Sequence, residues 1–327
     1  MSASAAHVLD LFRALHRRKP DLRLGAVMDA ALGRSGVDPK ARWSRLTPDD
    51  LDAVAELLDE RLAIMGDDEP LSGLFLLVDG PNALWRNFYV CAALEPVESA
   101  GDVVRVAVRA FVGAVRSWAA KHRASYALVV WDAGDGGRGA LLPSYKANRI
   151  DHPAGTEGMI DAAVAALGRA GVASCMSEGY EADDVIAAYT KAAVARGLEV
   201  AIVSQDKDLR QLVNDRVWVI GPKGERIGPA EVEAKFGVPP SLLGDYLALA
   251  GDGSDNVKGV PGVGPKTAVE LVRKHGDLAA VLAAAPEMKG KRGALLVEHA
   301  DAARLARQLV TLRDDVAPPI PIEETRV

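Results

Sequence analysis

The sequence predicts an α/β fold: a mostly parallel central sheet flanked by helices, followed by a helical region built around a helix-hairpin-helix. Three observations predict it. Short, continuously apolar runs recur, two closed by an aspartate and a third followed by one. Helix-length stretches separate them. Beyond about residue 229 the strand signal fades, and a Gly/Pro-rich turn stands between two helical stretches.

Residues 1–72 read as a helical extension and linker. Thr47-Pro48-Asp49-Asp50 has the form of a helix start, with a capping Thr, a first-turn Pro and acids after it. Leu51, Val54, Leu58, Leu62 and Met65 follow at helical spacing, and Gly66-Asp67-Asp68-Glu69-Pro70 ends the stretch. Residues 73–228 form the α/β part. The apolar run 74–78 ends at Asp79, the run 126–131 at Asp132, and the run 200–203 is followed by Asp206. Apolar throughout rather than alternating, these runs suit strands buried on both faces of a parallel sheet. Residues 102–122, 156–170 and 181–196 supply crossover helices. In the helical region 229–327, residues 239–250 and 265–275 read as helices around a hairpin at 259–264, and an irregular tail begins at Pro318.

Composition narrows the classes. The chain has 327 residues, of which 49% are apolar, so it can bury a sizeable core. It has no apolar stretch of membrane-spanning length and no signal core, and is expected to be soluble and cytoplasmic. Cys91 and Cys175 are isolated and offer neither CxxC spacing nor a disulfide framework. A net charge of −6 argues weakly against a nucleic-acid partner, because the acids are clustered and a bound divalent ion would reverse their local sign.

Asp79, Asp132 and Asp206 all stand at carboxyl ends of strands, where open α/β sheets bind ligands. Glu181-Ala182-Asp183-Asp184 opens a helix. Acids there favour the helix dipole by roughly 0.3–1 kcal/mol each, but three in four residues exceed what a cap requires. Asp208 follows Asp206, and Asp252 and Asp255 sit in a polar loop. Each alone reads equally as a turn or cap residue. Together they form a hard oxygen site without His or Cys, which suits Mg²⁺ or Mn²⁺, and two such ions suit phosphodiester cleavage. Possible phosphate contacts are Arg86, Tyr145, Lys146 and Arg149, with Tyr145 able to stack on a base. The hairpin adds Lys258, Gly259, Gly262, Gly264, Lys266 and Thr267, a backbone-gripping turn and helix start.

The stretches LLVDGPNALWR, VVWDAGDG, YKANR, GYEADDVIAAYTKAA, VSQDKDLRQLV and GDGSDNVKGVPGVGPKTA, in this order, resemble the 5′–3′ exonuclease and flap endonuclease family over approximately residues 73–316. The likeness is to the 5′-nuclease domain of bacterial DNA polymerase I and to stand-alone phage enzymes. It implies one ion held by Asp79, Asp132, Glu181 and Asp183, and a second surrounded by Asp206, Asp208, Asp252 and Asp255, with Asp184 between them. It implies Lys146 and Arg149 facing the scissile phosphate, so that Lys146, Arg149 and Asp184 are the expected catalytic residues, and Arg86 at another phosphate. The hairpin with Lys266 corresponds to a helix-three-turn-helix that binds duplex DNA, often with a monovalent ion such as K⁺, and residues 150–165 to an arch that passes a single strand. The implied activity is hydrolysis at 5′ ends, flaps and nicks of DNA, and of RNA primers. A catalytically weak DNA-binding protein and a related RNA-cutting nuclease stand as alternatives. The sequence departs from the family in a glycine-rich loop at 134–139, one residue short, and in an arch without Lys or Arg from Ile150 to Met159.

Overall fold

The computed structural model describes residues 71–94, 100–149 and 152–327, together with Val8, Thr47, Asp52, Val54 and Ala55. The chain divides into two compact units, Met1–Leu71 with Pro321–Arg326, and Ser72–Ile320 with Val327. Of the helix expected after Thr47, the described residues Asp52, Val54 and Ala55 are helical; the remainder lies outside the described residues, as does the linker at 66–70.

In the larger unit, one sheet carries strands β1 (Leu74–Asp79), β2 (Tyr126–Trp131), β3 (Ala173–Met176), β4 (Glu199–Val203), β5 (Val217–Ile220) and β6 (Arg226–Ile227), in the order β3-β2-β1-β4-β5-β6. The first five are parallel and β6 is antiparallel. Helices α1 (Gly80–Leu94) and α2 (Ala100–His122) join β1 to β2, and α3 (Arg138–Leu141) and α4 (Met159–Arg169) lie between β2 and β3. Helix α5 (Ala182–Ala195) joins β3 to β4.

The β1 and β2 runs are apolar because both sheet faces are covered, and every residue of both strands is buried. Leu74, Leu76 and Val78 meet the core formed with α1, α2 and α4. Phe75, on the opposite face, stands edge-on to Tyr189 of α5 at 6.0 Å. Burying each such side chain stabilises the fold by about 1.5–3 kcal/mol. The chain passes from β1 outward through β2 to β3, then returns to the other side of β1 as β4. That reversal opens a crevice at the carboxyl ends of β1 and β4.

The helical region contains α6 (Pro229–Phe236), α7 (Leu243–Ala250), α8 (Pro265–His275), α9 (Leu278–Ala284), α10 (Lys291–Glu298) and α11 (Ala300–Val310). Buried Asp245 of α7 ties it together, taking Arg307 of α11 at 2.9 Å and the backbone N–H of Leu278 at 3.2 Å. Among the described residues no helix is long and apolar enough to cross a membrane.

Candidate metal centre and nucleic-acid interface

The topology that separates β2 and β4 in sequence sets them on either side of β1, so the acids after all three strands meet. Asp79, Asp132, Glu181, Asp183 and Asp206 line one cavity of about 380 Å³, together with Lys146 and Arg149. Beside them Asp208, Asp252 and Asp255 bring ligand oxygens within 4.8 Å of one another. Eight of the nine expected acids therefore divide between two adjoining clusters.

Each acid is aimed by a specific bond. Asp79 accepts from the Asn82 N–H at 3.1 Å and from buried Ser204 Oγ at 2.7 Å. Asp132 accepts the N–H of Ala182 at 2.7 Å and so caps α5 from a neighbouring strand. Glu181 sits at the α5 N-cap position but makes no side-chain cap bond; its carboxylate instead meets Lys146 Nζ. Asp206 accepts from the Asp208 N–H at 2.9 Å. One oxygen of Asp252 takes Lys207 Nζ at 2.7 Å and the Ser254 N–H at 2.9 Å.

The electrostatics are those of a site short of positive charge. Burial, partly offset by the Ser204 and Asn82 bonds, pushes the Asp79 carboxyl up to about 7. Burial and then Asp206 push Asp208 up to about 8. Asp183 is held well above the carboxylate range by burial and by Asp206, Asp79, Asp208 and Asp132. Burial also raises Glu181, against the pull of Lys146. Asp208 Oδ1 and Asp252 Oδ2 are buried without a hydrogen-bond partner. Such orphaned acceptors are costly, and crowded oxygens of this kind fit a hard divalent cation.

The cations come from the segment between α3 and α4. Lys146 adopts a left-handed backbone, φ 54°, and its N–H donates to the carbonyl of Asp255 at 3.0 Å. Its Nζ meets Glu181 and lies 3.7 Å from Asp255 Oδ2, thereby touching both clusters. Arg149 reaches Asp255 Oδ1 at 3.2 Å.

Three expected site residues are placed differently. Asp184 joins neither cluster: both its oxygens are bonded by Arg138 at 2.7 Å, and Oδ1 also takes the Arg313 N–H at 2.9 Å. The periodicity of α5 carries it into the core, fully buried, away from its neighbour Asp183. The Tyr145 hydroxyl lies 3.2 Å from Glu181 and 3.0 Å from Asp255, so the phenol also links the two carboxylate clusters. Arg86 is exposed and donates to the Pro222 carbonyl at 2.9 Å, outside the carboxylate cavity.

Two family models cover residues 74–237 and 238–327, described as the 5′-3′ exonuclease N-terminal resolvase-like domain and the 5′-3′ exonuclease C-terminal SAM fold. The chain belongs to the 5′-3′ exonuclease family. A 5′-3′ exonuclease of Aquifex aeolicus is 38% identical over 208 residues, covering 63% of this chain and 71% of that one. DNA polymerase I of Rhizobium leguminosarum is 45% identical over 54% of this chain, and that of Thermus aquaticus 36% over 75%; the matches span only 18% and 29% of those polymerases. The solved phage T5 5′-exonuclease with zinc bound has the same fold, with a TM-score of 0.62 at 22% identity over 73% of this chain and 89% of that one. A T5 flap endonuclease complex with DNA and metal ions gives 0.60 at 23%, over 74% and 89%.

In this exonuclease-family chain the hairpin has the backbone the glycines suggest. A Cβ on Gly259 would stand 2.4 Å from Gly251 N and Leu249 O, so only glycine lets the hairpin seat against the end of α7. Gly264 heads α8 without a side-chain cap, and Lys258, Lys266 and Gly262 are exposed, with Thr267 half-buried.

Sequence reasoning missed several residues at the site. Ser204 and Lys207 orient Asp79 and Asp252; their positions beside Asp206 were the available signal. Trp85 and His152 stack with rings 3.6 Å apart and 6° from parallel, and with Tyr89 they wall the carboxylate cavity. Trp85, six residues after Asp79, carried a readable aromatic signal; lone His152 carried none.

Proposed function

We propose that the chain is a structure-specific 5′ nuclease, hydrolysing phosphodiester bonds at 5′ ends, flaps and nicks of DNA and in RNA primers annealed to DNA. The observation that carries this reading is the pair of adjoining carboxylate clusters with Lys146 touching both. Asp79, Asp132, Glu181 and Asp183 would hold one Mg²⁺ or Mn²⁺, and Asp208, Asp252 and Asp255 the other, with Asp206 between. When bound, the ions would activate water and stabilise charge on the attacking and leaving oxygens.

The chain's own groups supply the remainder. Lys146 leaves Glu181 for the reacting phosphate, where fixed positive charge counts most as negative charge gathers. Arg149 holds a neighbouring phosphate oxygen. Trp85, once His152 moves aside, offers a face for a base next to the cut. The α8 N-terminus and Lys266 grip duplex backbone without reading sequence, with K⁺ as the natural ion for the hairpin carbonyls. Residues 73–228 act as the cutting core and 229–327 as the grip, in the cytoplasm. The relatives' names, DNA polymerase I and 5′-3′ exonuclease, and the DNA and metal ions in the T5 complex support this reading.

The test is purified protein with Mg²⁺ and end-labelled flap, nicked, single-stranded and RNA–DNA substrates. Cleavage at the flap junction and nick, abolished by chelator, is expected. Cutting that continues in excess chelator, or none on any substrate, would overturn the reading.

A further inference from the structure

We infer that the face formed by α2 and α4 is a docking groove for an acidic amphipathic helix of a partner protein. A groove of about 870 Å³ runs between these helices. Its floor is apolar, made of Val104, Val108 and Val112 from α2 and Ala162, Ala165 and Ala166 from α4. Their spacing of three and four residues lays one continuous stripe along each helix.

The rim is cationic. Arg105, Arg109 and Arg116 flank the floor from α2 and Arg169 from α4, and all four are exposed. Arg105 pairs with Asp102 at 2.7 Å. Arg109, Arg116 and Arg169 have no hydrogen-bond or ion-pair partner among the described residues. In a chain of net charge −6 this is a local reversal of sign around an apolar strip. An apolar strip between unpaired arginines complements a helix with one apolar face and acids on both flanks, docking by its side chains. The stretch from Gly101 to Arg116 is about 22 Å long, enough for four turns of such a helix.

Position argues against DNA as the occupant. Helix α2 ends at His122 shortly before β2 begins, and α4 ends at Arg169 shortly before β3 begins. Arg116 also lines a second cavity, of about 400 Å³, with Arg123, Ala127 and Val172 at the amino ends of those strands. The groove therefore leads away from the carboxyl edge that holds the acids.

The experiment uses the full chain and three fluorescein-labelled peptides: a helix of repeated Glu-Leu-Leu-Glu-Ala-Leu-Glu, the same peptide with Leu replaced by Ser, and one with Glu replaced by Lys. Only the first should bind, with affinity falling as salt rises. Arg109→Glu with Arg169→Glu should weaken it about tenfold or more, and Ala165→Asp should weaken it independently, while nuclease activity stays at the parent level. Failure of the first peptide to bind would overturn the proposal. So would equal binding of the Ser peptide, a dimer in light scattering lost in the double variant, or loss of duplex affinity in that variant.

Discussion

Arg138 closes both carboxylate oxygens of Asp184 with its two terminal nitrogens, at 2.7 Å each, and donates further to the carbonyls of Leu309, Thr311 and Asp135, with Nη1 3.4 Å from Glu181 Oε2. The pair is buried, with side-chain exposures of 5% and 0%. Gly136 makes room for it: a Cβ there would stand 2.6 Å from Arg138 Nη1 and 2.8 Å from Asp184 Oδ2. One guanidinium thus joins the loop after β2, the start of α5 and the chain leaving α11.

Asp184→Asn is expected to act on stability. Breaking a buried ion pair from one side costs about 3–5 kcal/mol, which a urea titration would read directly. Cleavage per folded molecule should persist at low temperature. A variant as stable as the parent but inactive would return Asp184 to the catalytic group.

Metal and pH should be linked through the clusters. The folded pKa of Asp79, about 7, and of Asp208, about 8, both exceed the ordinary carboxylate value. Between those limits the folded chain binds more protons than the unfolded one, so metal-free stability is greatest on the acid side and falls as pH rises through the window. Bound cations remove that cost by favouring the ionised forms. The gap in Tm between Mg²⁺ and chelator should be small near pH 5.5 and wide near pH 8.5. A gap that is constant across this range would mean the carboxylates do not carry the metal.

The two lysines should separate chemistry from grip. Lys266→Ala should weaken duplex binding and lower its salt dependence by about one phosphate contact, with the single-turnover rate restored at saturating DNA. Lys146→Ala should leave that rate low at saturation. If both variants lose affinity alone, Lys146 is a grip.

Trp85 should report substrate. Replacing it with Ala should cost binding worth about 1–3 kcal/mol if one base stacks there. In the parent, tryptophan emission should change on adding flap DNA, and that change should vanish in Trp85→Ala. His152→Ala should bind at least as tightly as the parent, since it vacates the ring face. Unaltered emission and affinity in Trp85→Ala would remove the stacking role.

The parts legible in the sequence were those whose physics is local. β1, β2 and β4 are apolar on both faces over their buried residues, so each announces itself as an apolar run with an acid at or shortly after its end. β3 is the short edge strand ASCM, half-buried, and β6 has two residues; neither has a pattern to read. α1 begins Gly-Pro-Asn, which reads as a turn. The acids that form the clusters were legible because strand ends converge. The fate of Asp184 was not, because its partner Arg138 lies 46 residues away, at the start of α3 behind a glycine-rich stretch that departs from the family pattern. The Trp85–His152 stack is likewise a long-range pairing that no periodicity encodes.

The bond from the Lys146 N–H to the Asp255 carbonyl has a consequence for how the site is lost. With the bonds from Asn148 to the Gly253 carbonyl and from Asn256 to the Ser144 carbonyl, both 2.7 Å, it latches a loop of the sheet domain to a loop of the helical region and holds the left-handed turn at Lys146. The cations and the second acid cluster are therefore assembled together or lost together. Damage anywhere in the 251–256 loop should therefore remove the cations and the second acid cluster at once, and the exchange rate of a single amide, that of Lys146, would count the molecules in which they stand assembled.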